Sequence, residues 1–262
     1  MIEAVTLDFG NTLVPVPAAG LRGVVALTAS AMAARLGPFP ADAVLAAWAE
    51  ERERQFREEV PQFREVDLAQ RIARILARLR GMPIPPSEVR WDDAAAALLS
   101  DPGEIAWAVE TYSKGFVDAL PPDPAAGRVL GALAGRYRLA ILSNWPLAAT
   151  IDRYVEAQGW SPHLAAVVVS QRVGTIKPHP VIFAAARTAL GDPDPATILH
   201  VGDDWAADVV GAKGAGWRAA YLAVRPDDSP LPGSERDDTV TADLVIHRLG
   251  DLLGALADIA DA

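Results

Sequence analysis

The sequence contains no cysteine among its 262 residues. Disulfide bonds, thiolate nucleophiles and cysteine-ligated zinc or iron–sulfur centres are therefore excluded. Lysine is scarce as well, because only three of the 24 basic residues are lysines: Lys114, Lys177 and Lys213. In such an arginine-rich chain each lysine is an unusual choice, so the surroundings of each one are of interest.

Long apolar runs and a basic charge excess are also lacking. No stretch has the roughly 20 apolar residues that a membrane-spanning helix needs, and the segment MIEAVTLDFG does not resemble a signal peptide. We therefore expect a cytoplasmic protein. The net charge of -10 makes nucleic acid and anionic membranes unexpected partners, although a local positive site remains possible.

What the sequence does contain is enough apolar material for a sizeable core, since 51% of the residues are apolar. Residues 2–7 form a short β-branched run that predicts a buried strand ending at Asp8. From residue 20 to residue 120 the spacing of apolar residues is helical, and Pro and Gly separate the segments. The predicted helices of this part span residues 21–36, 41–60, 66–80, 87–100 and 102–120.

After residue 121 the pattern alternates between strands and helices. Strands are predicted at residues 138–142, 166–169, 197–201, 219–222 and 244–246, and helices at 147–158, 181–190, 206–215 and 249–259. This alternation predicts a parallel sheet covered on both faces. We expect an α/β fold, a doubly wound, mostly parallel Rossmann-like sheet formed by residues 1–14 and 121–262, with an all-helical domain, residues 15–120, inserted after the first strand.

Polar side chains follow the predicted strands, and in open sheets of this kind ligands bind at the carboxyl ends of the strands. The first strand is followed by DFGNTL, the second by LSNW, the third by a loop leading to TIKP, and the fourth by GDDWAAD. Several carboxylates meeting at one sheet edge repel one another unless a cation lies among them. Carboxylates, a carbonyl and a phosphate oxygen are ligands that Mg²⁺ prefers.

Four such clusters in this order resemble the four motifs of the haloacid dehalogenase-like (HAD) hydrolases. The stretches LSNW, GTIKPHPVIF and HVGDDWAADVVGAKGAG carry most of the resemblance, which covers the whole predicted α/β part. The helical insertion occupies the position of that family's cap domain. The resemblance implies a hydrolase that uses Mg²⁺ and acts on a small phosphorylated substrate through an aspartyl-phosphate.

The resemblance also implies a role for individual residues. Asp8 would be the nucleophile, and Lys177 would neutralise both Asp8 and the substrate anion. Asn11, Thr12, Ser143 and Asn144 would hold the transferred phosphoryl group together with Lys177. Asp8, Asp203 and the backbone carbonyl of Gly10 would bind Mg²⁺. Asp208 would hold a metal-bound water or orient Lys177, and Asp204 would support the direct ligands without binding the metal itself.

One position departs from the family pattern. Phosphatases of this family carry a second Asp two residues after the nucleophile, where it protonates the leaving group, and this chain has Gly10 there. Loss of a general acid typically costs about 10²–10⁴ in rate. Two enzymatic alternatives remain: a phosphatase whose substrate has a good leaving group or whose proton comes from elsewhere, and a 2-haloacid dehalogenase, since a halide leaves without a proton.

Two further features leave alternatives open. Gly10 also permits a catalytically weak HAD fold that serves as a binding or regulatory protein, although Asp8, Lys177 and Asp203 would then have no evident use. Trp145 and Trp205 each follow a motif, and they would either cover the sheet edge or form an aromatic wall for the leaving group.

Overall fold

The computed structural model describes residues 1–83 and 98–260. Six parallel strands form one sheet in the order β3-β2-β1-β4-β5-β6. The strands are β1 (Ala4–Leu7), β2 (Arg138–Ser143), β3 (Ala166–Val169), β4 (Ile198–Gly202), β5 (Arg218–Leu222) and β6 (Leu244–Ile246). The predicted α/β sheet is thus confirmed, and each predicted strand lies within one or two residues of its observed bounds.

Strand β1 lies in the middle of this sheet although its neighbours come more than 120 residues later. Leu7 is paired with Ile141 of β2 on one side and with Val201 of β4 on the other. All three strands run in the same direction, so the residues that follow them meet at one edge of the sheet. This register brings the sequences after Leu7, Leu142 and Val201 together.

The alternation of side chains in β1 divides the core into two layers. Val5 and Leu7 pack on one face of the sheet, and Ala4 packs on the other face with Ile182 and Phe183. Both faces are covered by helices, which is the reason that strands such as β4 are buried along their whole length.

Between β1 and residue 120 the described residues form four α-helices: α1 (Ala18–Arg35), α2 (Ala41–Glu58), α3 (Leu68–Leu79) and α4 (Pro102–Ala119). They pack as the pairs α1–α4, α2–α3, α1–α2 and α3–α4. Side-chain caps define two of their starts: Asp67 accepts from the Gln70 N–H at α3, and Asp101 accepts from the N–H groups of Gly103 and Glu104 at α4. Regular structure in the described part of residues 15–120 is entirely helical, as predicted. The predicted helix at 87–100 falls largely outside the described residues.

The longer helices after residue 120 are α5 (Ala126–Ala134), α6 (Ala148–Ala157), α7 (Pro180–Ala189) and α8 (Leu252–Ala260). Helix α5 was not predicted from the sequence. The predicted helix at 206–215 is a π-type segment, Trp205–Val210, followed by one α turn, Gly211–Gly214. Helix α4 packs on α6, and the Tyr154 hydroxyl of α6 donates to the Leu120 carbonyl oxygen at 2.6 Å. No helix in the described residues is long and apolar enough to cross a membrane.

Candidate active site

The carboxyl edge of the sheet carries Asp8 immediately after β1. Its backbone N–H continues the ladder by donating to the Val201 carbonyl oxygen at 2.8 Å, so the strand geometry fixes where its side chain begins. Asp8 is only 8% exposed. A buried carboxylate needs a compensating charge, and the nearest one comes from the loop before α7.

That charge is Lys177, a residue that is 2% exposed and whose ammonium group lies between two carboxylates. It donates to Asp8 Oδ1 at 2.8 Å, to Asp208 Oδ1 at 2.6 Å and to the Leu142 carbonyl oxygen at 2.9 Å. All three protons of the ammonium group are therefore used. Of the three lysines in the chain, this is the one that the structure brings to the predicted nucleophile.

Asn144 holds the backbone at Lys177. Its Oδ1 accepts from the Lys177 N–H at 2.7 Å, and its Nδ2 donates to the Lys177 carbonyl oxygen at 3.0 Å. Both ends of the amide are used in this way, so the side chain positions Lys177. The sequence analysis predicted Asn144 as a phosphoryl-binding residue, and its bonded side chain leaves the backbone N–H as the group that could take that part.

Three buried carboxylates form the centre of the site. Carboxylate oxygens of Asp8, Asp203 and Asp208 all lie within 4.8 Å of one another. Asp203 Oδ2 accepts from Asn11 Nδ2 at 3.3 Å and lies 3.4 Å from Arg225 Nη1. One lysine and one distant guanidinium do not fully neutralise three clustered carboxylates, so this edge of the sheet carries excess negative charge.

The pKa values of the three carboxyl groups reflect that crowding. Burial and then the charges of Asp8 and Asp208 raise the pKa of Asp203 to about 8. Burial also raises the pKa of Asp8, against the opposing pull of Lys177. Burial alone would raise the pKa of Asp208 as well, but the charge of Lys177 and the contact with His200 hold this pKa below its ordinary value. Asp208 is thus the carboxylate that stays ionised beside Lys177, and Asp203 is the one that most needs a further cation.

A metal ion fits this donor set. Hard divalent cations such as Mg²⁺ take carboxylate oxygens, and a cation would relieve the repulsion that raises the pKa of Asp203. The residues predicted as metal ligands, Asp8, Gly10 and Asp203, all line the same pocket. Asp208 was predicted only as a supporting residue, yet its carboxylate belongs to the same cluster as those of Asp8 and Asp203.

Asp204 and Asp208 both organise the segment after β4. Asp204 Oδ1 accepts from the Ala207 N–H at 2.7 Å and caps the helical turn, and Oδ2 accepts from the Ser234 N–H at 2.9 Å. Asp208 Oδ2 accepts from the Asp204 N–H at 2.9 Å. A Cβ at Gly202 would overlap the Asp208 carboxyl group, so glycine is required there.

Two predicted phosphoryl-binding residues carry buried hydroxyl groups without a partner in the described residues. These are Ser143 Oγ and Thr12 Oγ1. Asn11 adopts a left-handed backbone conformation with φ 57°, which Asn tolerates better than most residues. Its side chain is bonded to Asp203 and, at 2.9 Å, to the Ser229 hydroxyl, so Asn11 connects the first motif to the loop after β5.

The space beside Gly10 is occupied by apolar side chains. A Cβ at this position would come within 2.7 Å of Leu231 Cδ1 and 3.1 Å of the Trp145 ring. The space that the acidic side chain occupies in the family pattern is therefore filled here by Leu231 and Trp145. Any acid residue here would have to displace Leu231.

The acidic centre opens into a pocket of about 330 Å³. Its lining combines residues of the sheet edge with residues of the helical insertion, among them aromatic side chains such as Phe56, Phe63 and Tyr112. Trp145 lines this pocket, whereas Trp205 does not appear in its lining and packs its ring against Tyr221. Of the two tryptophans considered as an aromatic wall, Trp145 is the one in position.

Sequence reasoning missed two contributors to the centre. His200 Nε2 lies 3.0 Å from Asp208 Oδ1, and its Nδ1 lies 2.8 Å from the Thr6 hydroxyl; the period-2 alternation of β1 and β4 could have paired Thr6 with His200. Arg225 reaches Asp203 from the loop after β5, and its position just beyond the end of a parallel strand is the signal that could have identified it.

Comparisons with known proteins agree with this geometry. The model for the haloacid dehalogenase-like hydrolases matches residues 2–216. The pyrimidine 5′-nucleotidase YjjG of Escherichia coli is 28% identical over 164 residues, 63% of this chain and 69% of that protein.

Solved structures share the whole fold. The 2-haloacid dehalogenase from Pseudomonas syringae is 25% identical with a TM-score of 0.70, and the match covers 99% of this chain and 100% of that one. The magnesium-bound HAD-hydrolase YfnB of Bacillus subtilis is 18% identical with a TM-score of 0.60 over 97% of this chain and 98% of that one, which reflects a common fold. The chain therefore belongs to the haloacid dehalogenase-like hydrolases.

Proposed function

We propose that this hydrolase is a magnesium-dependent phosphatase that transfers the phosphoryl group of a small metabolite to Asp8 and then hydrolyses the aspartyl-phosphate. The observation that carries the proposal is the Lys177 ammonium group bonded to Asp8 within a cluster of buried carboxylates. The Escherichia coli relative is named a pyrimidine 5′-nucleotidase, which supports a phosphate ester as substrate.

The division of the chain follows from the same proposal. Residues 1–14 and 121–262 would form the catalytic core, and residues 15–120 would form a helical cap that contributes part of the pocket lining. Closure of the cap would exclude water from the reacting group. The cap would also select the substrate, because its side chains line the pocket that contains Asp8.

In the first step a carboxylate oxygen of Asp8 attacks phosphorus, and the bond to the leaving oxygen breaks in line with the attack. Lys177 offsets the charge of the reacting carboxylate and phosphoryl group. The Ser143 and Thr12 hydroxyls would donate to the non-bridging phosphoryl oxygens, which gives their unbonded atoms a partner. Water then attacks phosphorus, the bond between phosphorus and the Asp8 oxygen breaks, and both protons of the water leave with the released phosphate, which restores the Asp8 carboxylate.

Asp8, Asp203 and the Gly10 carbonyl would hold Mg²⁺, which when bound would neutralise the developing charge on the phosphoryl group. Asp208 would keep Lys177 oriented toward Asp8, because Asp208 Oδ1 lies 2.6 Å from the Lys177 ammonium nitrogen. Asp204 would act further back, through the helical turn that it caps.

The leaving group must depart without help from residue 10. Gly10 carries no acid, and Leu231 and Trp145 occupy the adjoining space. The proposal therefore favours an aryl, acyl or anomeric phosphate, or an ester whose leaving oxygen is protonated by water in the pocket.

Hydrolysis of 4-nitrophenyl phosphate with and without Mg²⁺ tests the proposal, because this leaving group needs little protonation. The Asp8→Asn variant should lose at least about 10³-fold in kcat, as expected when a nucleophile is removed. Asp152→Asn, which removes a surface carboxylate paired with Arg172, serves as the matched control and should keep full activity. Turnover that is independent of both Mg²⁺ and Asp8 would refute the assignment.

A dehalogenase is the second candidate, favoured by Gly10 and by the 25% identity to the Pseudomonas syringae 2-haloacid dehalogenase. Asp8 would displace the halide, and water would hydrolyse the resulting ester. The excess of carboxylates around Asp203 would repel a haloacid, which is why the phosphatase ranks first. Halide release from 2-chloropropionate that Asp8→Asn abolishes, without phosphatase activity, would reverse this order, and absence of both activities would favour a binding role.

A further inference from the structure

The pocket that contains the acidic centre is also lined by two arginines from the helical insertion, Arg52 of α2 and Arg71 of α3. Phe56 and Tyr112 line the same pocket. The proposed reaction does not use either arginine, so their presence in the wall of a mostly apolar pocket calls for a separate explanation.

Arg71 is held in a defined orientation. Its Nε donates to Gln55 Oε1 at 2.7 Å, and Gln55 Nε2 in turn donates to the Asp67 carbonyl oxygen at 3.0 Å. The second bond fixes which end of the Gln55 amide faces the arginine. Gln55 is 2% exposed and Arg71 is 6% exposed, so the guanidinium group is pre-organised at the pocket wall.

The charge of Arg71 has no ion-pair partner among the residues that the structure describes. Its hydrogen bond to Gln55 uses Nε, and within the same residues its two terminal nitrogens have no protein acceptor. Burial and the nearby charge of Arg52 lower the pKa of Arg71 to about 10, and the charges of Glu65 and Asp67 oppose this shift without cancelling it. Burying a guanidinium group in this way is unfavourable unless a negative group approaches it.

The neighbouring arginines of the same two helices behave differently. Arg54, Arg57, Arg74 and Arg78 each have a carboxylate within 4.0 Å, at Glu51 or Glu58. Arg52 donates instead to the Pro230 carbonyl oxygen at 2.9 Å and lies over the Phe56 ring. Of the six arginines on α2 and α3, the two without a carboxylate partner in the described residues are therefore the two that line the pocket.

Glu65, which also lines the pocket, does not supply the missing partner. Its carboxyl group accepts from the Val66 N–H at 2.7 Å and from the Ser170 hydroxyl. Burial raises the pKa of Glu65, so it contributes less negative charge than an exposed glutamate would.

The charge of Asp67 also acts on Arg71, but the Asp67 carboxylate oxygens accept from the Gln70 N–H and from Gln171 Nε2. An anionic ligand would supply the direct partner that the Arg71 guanidinium group lacks among the described residues.

We propose that Arg71, assisted by Arg52, binds an anionic group on the leaving-group part of the substrate, so that the substrate is a small phosphate ester bearing a second negative charge. The second group is a carboxylate or a further phosphate, both of which match the fork of donors on a guanidinium group. The apolar part of the leaving group would pack against Phe56 and Tyr112. This inference rests on the proposed phosphatase function.

Matched esters test the proposal by kinetics. Phenyl phosphate has a neutral leaving group, 4-carboxyphenyl phosphate adds a carboxylate, and benzene-1,4-diyl bisphosphate adds a second phosphate. We expect kcat/KM to favour one of the doubly anionic esters by about tenfold or more, the scale of one charge-assisted hydrogen bond. Whichever is preferred identifies the second group.

Arg71→Met keeps the apolar stem of the side chain and removes the charge. It should raise KM for the preferred ester by about 10- to 100-fold, with phenyl phosphate unaffected. Arg52→Met should act in the same direction, and Arg71→Lys should recover part of the preference. Arg57→Met on the outer side of α2 is the control and should change neither substrate. Equal losses on both kinds of ester, or no preference in the unaltered enzyme, would overturn the proposal.

Calorimetric binding to the Asp8→Asn protein gives a readout that does not depend on turnover. Tighter binding of the preferred ester than of phenyl phosphate, with the difference lost in Asp8→Asn/Arg71→Met, would support the subsite even if the enzyme were not a phosphatase. Equal binding of all esters would refute the subsite and leave the phosphatase assignment to the 4-nitrophenyl phosphate assay. Should Arg71→Met not fold, Arg71→Lys and Arg52→Met give the same test.

Discussion

The sheet edge and the helical insertion both bury charge, but they differ in how far that charge is neutralised. At the sheet edge three carboxylates, Asp8, Asp203 and Asp208, share one ammonium group, that of Lys177. In the described part of the insertion the fully buried carboxylate of Glu51 lies between arginines such as Arg54 and Arg78, which also pair with Glu58 and Glu50. The first arrangement has an unmet need for positive charge, which suits catalysis with a cation. The second is close to balanced, which suits structure.

The sharpest way to break the contrast is to remove Lys177. Lys177→Met should lower kcat by about 10²–10³-fold, the range seen when a pre-organised charge partner of the transition state is removed. It also leaves Asp8 and Asp208 buried without their shared partner, so urea unfolding should show reduced stability. Lys213→Met removes a partly exposed lysine paired with Asp243 and should leave kcat unchanged. Retained activity in Lys177→Met would remove the sheet edge from the mechanism.

Glu51 tests the other region. Glu51→Gln should lower the free energy of unfolding by about 3 kcal/mol, since removing one member of a buried ion pair leaves the other uncompensated. The folded protein that remains should keep its kcat. Glu50→Gln, an exposed neighbour that also pairs with Arg78, should cost less than about 1 kcal/mol.

The stabilisation by Glu51 should depend on pH with a defined sign. Burial alone would raise the pKa of Glu51 above 4.5, but the hydrogen bonds and charges of Arg54 and Arg78 lower it. The unfolded chain then binds the proton more readily, so the contribution is present above pH 4.5 and disappears as the pH falls below that value. The stability difference between the unaltered protein and Glu51→Gln should shrink in urea titrations carried from pH 7 to pH 3.5. A constant difference would show that the charge of Glu51 is irrelevant.

A substitution at Gly10 tests how closely side chains pack around this position of the pocket. Gly10→Asp restores the carboxyl group that the family pattern predicts, but its Cβ would collide with Leu231 Cδ1. We expect a stability loss of about 1–3 kcal/mol from overpacking and no gain in alkyl phosphate hydrolysis. Adding Leu231→Ala should recover the stability and permit a gain in rate. A gain from Gly10→Asp alone would mean that Leu231 yields easily.

The grouping of polar residues at the sheet edge was predictable, because the order and direction of the strands determine which residues meet there. Parallel strands that pair as β2-β1-β4 bring Asp8, Ser143 and Asp203 to one edge wherever they lie in sequence. The contribution of the helical insertion to the pocket was not predictable. Arg52 and Arg71 occupy ordinary positions on charged helices. What distinguishes them from Arg54 or Arg74 is that no carboxylate of the described residues lies within 4.0 Å of either guanidinium group.

The segments between regular elements were the least predictable. Leu231 fills the space beside Gly10, and Arg225 approaches Asp203, yet both belong to a loop rich in Pro and Asp with no periodic pattern. The helical segment after β4 was correctly predicted as helical, but its π-type turn was not. Asp204 caps the turn, and the Asp208 carboxylate accepts from the Asp204 N–H and from Lys177. The contact with Lys177 joins parts of the chain that are distant in sequence, so it forms only in the folded protein.

The smallest expected effect concerns His200, which supports the sheet edge from within the core. Burial and the charge of Lys177 lower the pKa of His200, so the ring is neutral at pH 7 and donates one hydrogen bond, either to Asp208 or to the Thr6 hydroxyl. Donation to Asp208 would stabilise the ionised carboxylate that orients Lys177. His200→Asn should then lower kcat by about tenfold with little change in KM, as for the loss of a supporting hydrogen bond. Thr6→Val removes the other partner, and if its effect equals that of His200→Asn, the ring serves packing of the sheet and not the orientation of Asp208.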